Sequence, residues 1–225
     1  MSRSGDRIMN QKKMPAPIPP RILGLTGGIG AGKSFVGQKL VQSGLPLMDS
    51  DAVARRAYTD SEQVRQQVMA LLGAEVYDAE GKPRYDEIAR KVFAPSDEGR
   101  SLLHDLEQII HPYVSDQLKA WAREQQAPKG WVVLESAILW QSGFYHLCDA
   151  VVVVTAPEAV RVARVQERDG ASLEQVQARI DRQTSYSFAT LQQAHPELPL
   201  YQIQNDGVQE LGGQVAQLLA HLATL

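Results

Sequence analysis

An α/β fold, a parallel sheet with helices on both faces, is the class this 225-residue sequence predicts. Three observations carry it. Trp131–Glu135 and Ala150–Thr155 are short, nearly all-apolar runs, the form taken by strands buried on both faces of a parallel sheet. Segments with apolar residues at three- and four-residue spacing alternate with such runs along the chain. A glycine-rich turn joins the first strand candidate to the first helix candidate.

The elements follow in order. Residues 1–20 are Pro-rich toward their end, carry a local charge of +3 and show no apolar period, so a flexible leader is expected. Arg21–Leu25 is the first strand. Lys33–Gln42 is a helix with Phe35, Val36, Leu40 and Val41 at helical spacing, stopped by Gly44. Leu45–Met48 is a second strand that runs into Asp49 and Asp51. Helical stretches are expected around 51–72, then a turn-rich passage (Gly73, Asp78, Gly81, Pro83), then helices over 85–94 and 99–126, the latter interrupted at Pro112. After the two apolar strands, residues 157–194 read as helical and arginine-rich. Leu200–Gln204 is the last strand, and a closing helix aligns Val208, Leu211, Val215, Leu218 and Leu222 on one stripe. Helical material is thus inserted after the second and fourth strands.

Composition narrows the function classes. At 44% apolar and 22% charged residues the chain is neither disordered nor a disulfide framework, and its one cysteine, Cys148, is expected only to pack. The longest apolar run, Ala150–Val154, is far short of the ~18 residues that span a bilayer, and no apolar stretch suggests a secretory signal. Residues 21–225 carry a net −6, which argues against nucleic acid as partner. A cytoplasmic protein with no membrane contact and no obligate protein partner is expected.

Gly27-Gly28-Ile29-Gly30-Ala31-Gly32-Lys33-Ser34 is G-x-x-x-x-G-K-S, directly after a strand and opening a helix, the context this phosphate loop requires. Glycines let the backbone N–H groups turn inward around a β-phosphate, and the helix N-terminus adds positive potential. Lys33 is expected to reach the β- and γ-phosphates and the Ser34 hydroxyl to ligate Mg²⁺. The predicted fold is therefore a P-loop NTPase-type parallel sheet flanked by helices. No guanine-reading N-K-x-D follows a strand, and Leu211-Gly212-Gly213-Gln214 lacks the serine of a transporter signature. A small-molecule kinase needs a carboxylate near the γ-phosphate and arginines to neutralise charge in flight. Asp49 and Asp51 lie where the second strand ends, and alternation along that strand would put both toward the phosphate crevice. One of the two is expected to cap the following helix and the other, Asp51, to act as base. Arg55, one turn on, would bind a substrate phosphate or pair with either Asp. Glu135 ends an apolar strand and would hold Mg²⁺ through water, contact the acceptor, or cap the next segment. Arg161, Arg164 and Arg168 share one helix face, either a solvated face or a lid that closes over the transferring phosphoryl group.

These residues resemble a known family. Gly24-Leu25-Thr26-Gly27-Gly28-Ile29-Gly30, Gly32-Lys33-Ser34 and Asp49-x-Asp51-x-x-x-Arg55 are similar to dephospho-CoA kinase, the last enzyme of coenzyme A biosynthesis. The likeness runs on through Asp86, Val92-Phe93, Leu106-Glu107, Ile109, His111-Pro112, Glu135–Leu139, Asp149, Arg164, Arg168-Asp169, Gln183 and Asn205-Asp206-Gly207. It covers about 21–222. The resemblance implies ATP-dependent phosphorylation of the ribose 3′-hydroxyl of dephospho-CoA to give coenzyme A and ADP, with Mg²⁺. It implies a nucleotide core over about 21–50, 130–160 and 198–225, a helical CoA-binding insertion over about 51–129 and a lid over about 161–195. Asp51, Lys33 and Arg168 are the implied catalytic residues. Gly28, Ile29, Gly30, Ala31, Gly32, Lys33, Ser34, Phe35, Arg164, Arg168 and Asn205 fall on the ATP side. Asp49, Arg55, His111 and Glu135 fall on the acceptor side, and Ser34 holds Mg²⁺, with Glu135 or Asp51 through water.

The chain departs from the family in three places: Phe35 stands where Thr is usual, Leu134–Leu139 replaces Val-Pro-Leu-Leu-x-Glu, and Arg161 stands where Gln is common. His111 also reads as a hydrogen-bonded structural corner, and Asn205-Asp206-Gly207 as a plain turn. Another P-loop kinase, of nucleosides or nucleoside monophosphates, and a nucleotide-binding module without activity are the competing readings.

Overall fold

A computed structural model describes residues 19–181 and 187–225. Residues 1–18 of the leader and Gln183 lie outside the described residues. The strands are β1 (Arg21–Gly27), β2 (Leu47–Asp49), β3 (Trp131–Glu135), β4 (Ala150–Thr155) and β5 (Leu200–Gln204). They form one sheet in the order β2-β3-β1-β4-β5, and every neighbouring pair is parallel.

Side-chain alternation explains why the sheet needs two covers. Leu23, Leu25, Val133, Val152, Val154 and Ile203 pack on one face with α1 (Lys33–Gln42) and α9 (Leu211–Leu222). Leu134, Val151 and Val153 pack on the other face, in a core shared with the helices that follow β2. These are α2 (Ser50–Asp60), α3 (Glu62–Leu72), α4 (Tyr85–Val92) and α5 (Asp97–Glu124). Val53, Ala57, Val68, Leu72, Leu106, Val114 and Leu118 fill that core, so the insertion is continuous with the sheet rather than a separate body.

Between β4 and β5 the chain forms α6 (Glu158–Asp169), α7 (Leu173–Asp181) and α8 (Phe188–Ala194). Val165, Val176 and Ile180 make a small third cluster between α6 and α7, with Ile29 of the phosphate loop against it. Leu191 of α8 belongs instead to the large core beneath the sheet.

Four details differ from the sequence expectation. Pro112 does not interrupt its helix: α5 continues through it for 28 residues. Proline removes one hydrogen bond and crowds the preceding turn, and the buried stripe Leu106, Ile110, Val114, Leu118 and Ala122 carries the helix across. Val208 does not belong to the closing stripe; it lies before α9 and is 89% exposed, while Val215, Leu218 and Leu222 are buried. In α1, Val36 and Leu40 are buried but Phe35 and Val41 are each 50% exposed, because the face turned to the sheet is narrower than the apolar spacing suggested. The second strand starts at Leu47 and ends at Asp49, so Asp51 sits in the first turn of α2 and strand alternation does not apply to it.

Candidate active site

The glycine-rich loop closes with Gly30 at φ 76° and Gly32 at φ 87°, in the left-handed region that residues with a Cβ avoid. A Cβ at Gly32 would also strike the Asn205 amide nitrogen. From Gly32 the chain enters α1, so Lys33 and Ser34 stand at a helix N-terminus.

Ser34 Oγ donates to Glu135 Oε1 at 2.8 Å, tying the loop to the C-terminal end of β3. Asp49 is the N-cap of α2: its Oδ1 accepts from the backbone N–H of Asp51 at 2.8 Å and of Ala52 at 3.2 Å. Its carboxylate thereby serves the backbone and orients the turn that presents Asp51. Between the two candidates, capping falls to Asp49 and leaves the Asp51 carboxyl free of the cap.

The electrostatics bind these groups into one constellation. Burial lowers the Lys33 ammonium below the usual lysine range, while the Glu135, Asp51 and Asp49 carboxylates pull it back up and the Arg168 charge pushes it further down. Partial desolvation at the mouth of the crevice raises Asp51, and the Asp49 charge raises it further, against Lys33 and Arg55. Glu135 is raised by burial, opposed by the Ser34 hydrogen bond and Lys33. A cation and three carboxylates thus sense one another at the end of the phosphate loop. Among the described residues Lys33 makes no hydrogen bond, which leaves all three of its donors for a ligand.

No group of three or more His, Cys, Asp or Glu side chains that could hold a metal occurs among the described residues. A hydroxyl hydrogen-bonded to one carboxylate, with a second carboxylate nearby, nonetheless suits Mg²⁺. This ion binds through one or two protein oxygens and completes its octahedron with water and substrate phosphates.

The arginines of α6 divide. Arg161 Nε donates to the Ile29 carbonyl at 2.9 Å, and Arg164 Nη1 donates to the Asn205 carbonyl at 2.9 Å and reaches the Gly30 carbonyl at 3.5 Å. Arg168 is exposed and paired with Asp169 at 2.7 Å, with Arg179 of α7 on the same carboxylate at 3.1 Å. Asn205 is buried, and its Nδ2 donates to the Ala31 carbonyl at 2.9 Å. Its side chain braces the loop, a role that neither the ATP-side placement nor the plain turn contains.

Among the described residues a cavity of about 410 Å³ is lined by Gly27, Gly28, Ala31 and Arg161, and two others flank the constellation. One, of about 640 Å³, is lined by Gly32, Phe35, Lys39, Arg164, Asn205, Gly207 and Leu211, directly behind the phosphate loop. The exposed Phe35 ring forms one wall, with the Lys39 ammonium 5.7 Å from its centroid. The other, of about 280 Å³, is mostly apolar and lies within the helical insertion among Ser50, Tyr58, Tyr85, His111, Ile138 and Phe144. His111 packs edge-on against Phe144 at 5.3 Å, and burial lowers its pKa, opposed by Glu107. Arg55 connects the two regions: its carbonyl accepts from Tyr85 Oη at 3.1 Å while its charge acts on Asp51.

Sequence reasoning missed Tyr58, Tyr85 and Phe144 as cavity walls. Aromatic residues in amphipathic helices read as ordinary core, and only the exposure of Tyr85 distinguishes it.

A family model described as dephospho-CoA kinase matches residues 21–197. The dephospho-CoA kinase of Porphyromonas gingivalis is 38% identical over 188 residues, 80% of this chain and 90% of that protein. That of Bacteroides fragilis is 34% identical over 200 residues, 89% of this chain and 92% of its own length. The crystal structure of a Thermus thermophilus protein superposes with a TM-score of 0.71 at 30% identity, covering 92% of this chain and 99% of that one. A dephospho-CoA kinase structure from Campylobacter jejuni shares the fold with a TM-score of 0.59 at 19% identity, over 90% of this chain and 97% of that one.

Proposed function

The chain belongs to the dephospho-CoA kinase family, and from that membership we propose how its residues divide the transfer of a phosphoryl group from ATP to dephospho-CoA. It is an ATP-dependent transferase that phosphorylates an alcohol group of dephospho-CoA. The acceptor atom in our reading is the ribose 3′-hydroxyl. The observation that carries this division of roles is the geometry at the end of the phosphate loop, where Ser34 Oγ donates to Glu135 Oε1 and Asp49 caps the turn that bears Asp51.

In this reading the loop amides of Gly28–Ser34 hold the β-phosphate and Lys33 lies along the β- and γ-phosphates. Asp51 takes the proton of the acceptor hydroxyl as its oxygen attacks the γ-phosphorus. The bond from that phosphorus to the β–γ bridging oxygen breaks, and ADP leaves with the electron pair. A carboxylate raised above its ordinary range is a stronger base, which suits Asp51 to this step. Asp49 holds the turn that aims it. Ser34, with Glu135 or Asp51 through water, would hold Mg²⁺, which supplies charge neutralisation at the phosphates when bound.

In this reading Arg168, exposed on α6 and paired with Asp169, swings onto the transferring group. The cavity behind the loop takes the ATP nucleoside, with Phe35, Arg164 and Asn205 around it. The apolar cavity at His111, with Arg55 at its edge, takes part of the acceptor. The nucleotide core, acceptor-binding insertion and lid then correspond to about 21–50 with 130–160 and 198–225, about 51–129, and about 161–195. The proposed setting is the cytoplasm, with ATP and dephospho-CoA as the partners; no helix among the described residues is long and apolar enough to cross a membrane.

A coupled ADP-release assay with dephospho-CoA, adenosine, AMP and pantothenate as acceptors tests the reading. Turnover selective for dephospho-CoA is expected. Faster turnover with AMP or adenosine would move the chain to another kinase activity, and ATP binding without ADP release would make it a binding module.

A further inference from the structure

We propose that Arg161 is a positioning residue that holds the phosphate loop in its binding shape before ATP arrives. The proposal rests on the assignment of that loop to ATP. Three successive carbonyls of the loop are held from outside: Ile29 by Arg161 Nε at 2.9 Å, Gly30 by Arg164 Nη1 at 3.5 Å, and Ala31 by Asn205 Nδ2 at 2.9 Å. A peptide whose carbonyl is drawn outward turns its N–H the other way, so the bonds to Ile29 and Ala31 orient the Gly30 and Gly32 N–H groups that a phosphate meets, while the one to Gly30 sets the Ala31 N–H on the Gly28 carbonyl.

Arg161 is the most intimate of the three. Its guanidinium lies over Gly28, where a Cβ would collide with Nη2, and its own backbone fills the space a Cβ at Gly30 would need. Its backbone is fixed in turn, because its N–H donates to the Pro157 carbonyl at 3.0 Å as α6 begins. One residue, through its side chain at Gly28 and Ile29 and its backbone at Gly30, therefore touches three successive loop residues from an element 132 residues further along the chain. The loop's glycines leave it many conformations in the absence of such contacts, and a loop populated only fractionally in its competent shape binds more weakly by that fraction.

Arg161→Gln is the test, with Arg161→Lys beside it. Three readouts are taken: exchange of the Ala31 amide in nucleotide-free protein followed by NMR, ATP affinity by calorimetry, and steady-state constants for both substrates. The Ala31 amide, bonded to the Gly28 carbonyl at 3.1 Å, reports the loop directly. We expect its exchange to accelerate about tenfold in Arg161→Gln. The ATP dissociation constant and KM should rise by about the same factor, and kcat and the KM for dephospho-CoA should stay within about twofold. Arg161→Lys, which can still donate to Ile29, should recover part of the loss.

Unchanged Ala31 exchange with ATP affinity within twofold would overturn the proposal. A fall in kcat at constant KM for ATP would overturn it too, because Arg161 would then act on the transition state. Exchange accelerated throughout β1 and α1 with a melting point lowered by several degrees would make Arg161 a general packing residue, which also overturns it. Failure of the underlying ATP assignment is separately visible: ATP with Mg²⁺ would then leave the wild-type loop amides unprotected.

Discussion

Ser34 and Glu135, 101 residues apart in the chain, share a 2.8 Å hydrogen bond that joins the first turn of α1 to the end of β3. The bond brings a phosphate-loop hydroxyl and a strand-end carboxylate to one point, and Lys33 and Asp51 sense the same carboxylate. Three predictions come from the arrangement around it, and a fourth from the buried thiol of Cys148.

Replacing Asp51 by Asn removes the basic carboxylate and keeps its size. A general base contributes roughly 10²–10⁴-fold, so kcat should fall by about that much while the KM for ATP changes little. The melting point should hold, because the cap of α2 is Asp49. A kcat within threefold of wild type would move the proton transfer elsewhere.

Asp49 should behave the opposite way. Asp49→Ala deletes the acceptor for the Asp51 and Ala52 amides and should cost about 1 kcal/mol, read as a melting-point drop of roughly 2–4 °C for a protein of this size. Asp49→Asn caps about as well and should restore most of the loss. Equal losses in the two variants would show that the charge, not the cap, is what matters.

Lys33→Ala should abolish measurable turnover and leave the circular-dichroism spectrum and cooperative melting in place. The lysine is held by no hydrogen bond among the described residues, and its burial lowers its own pKa, so the fold does not depend on its charge. An unfolded variant would show instead that Lys33 is needed to balance Glu135, Asp51 and Asp49.

Cys148 packs beside β4 with its thiol pushed up to about 12, chiefly by burial and secondarily by the Asp149 charge. The folded state holds this proton more tightly than the unfolded chain does. The resulting stability is present below the unfolded thiol's ordinary range and is lost as pH climbs toward 12. Near pH 8 a thiol reagent should label native protein slowly and urea-unfolded protein stoichiometrically. Fast labelling of the native form would refute the assignment.

The strands that the sequence showed most plainly are the ones with no solvent face. β3 and β4 begin and end where their apolar runs do, because strands covered on both sides carry their boundaries in composition, whereas β5 lies at the sheet edge with Gln202 exposed. β2 was displaced by two residues, since Leu45 is buried as a strand residue would be but belongs to the turn after α1. The phosphate loop was legible because its chemistry is local. Arg161 and Asn205 were not legible as supports of that loop, since their partners lie 132 and 174 residues away and no spacing rule links them. The division of labour between Asp49 and Asp51 needed the backbone, where the cap bonds are made.

The cluster between α6 and α7 has a thermodynamic consequence. Its buried members are Val165, Val176 and Ile180, against more than a dozen side chains in each of the other two cores. Burial of one such side chain is worth about 1.5–3 kcal/mol before ordering entropy is subtracted, so the net cohesion of this hairpin is a small part of the whole. Its opening is then a local fluctuation that the rest of the chain need not share. α7 can separate from α6 many times between global unfolding events, while the contacts of Arg161 and Arg164 keep the root of α6 on the phosphate loop.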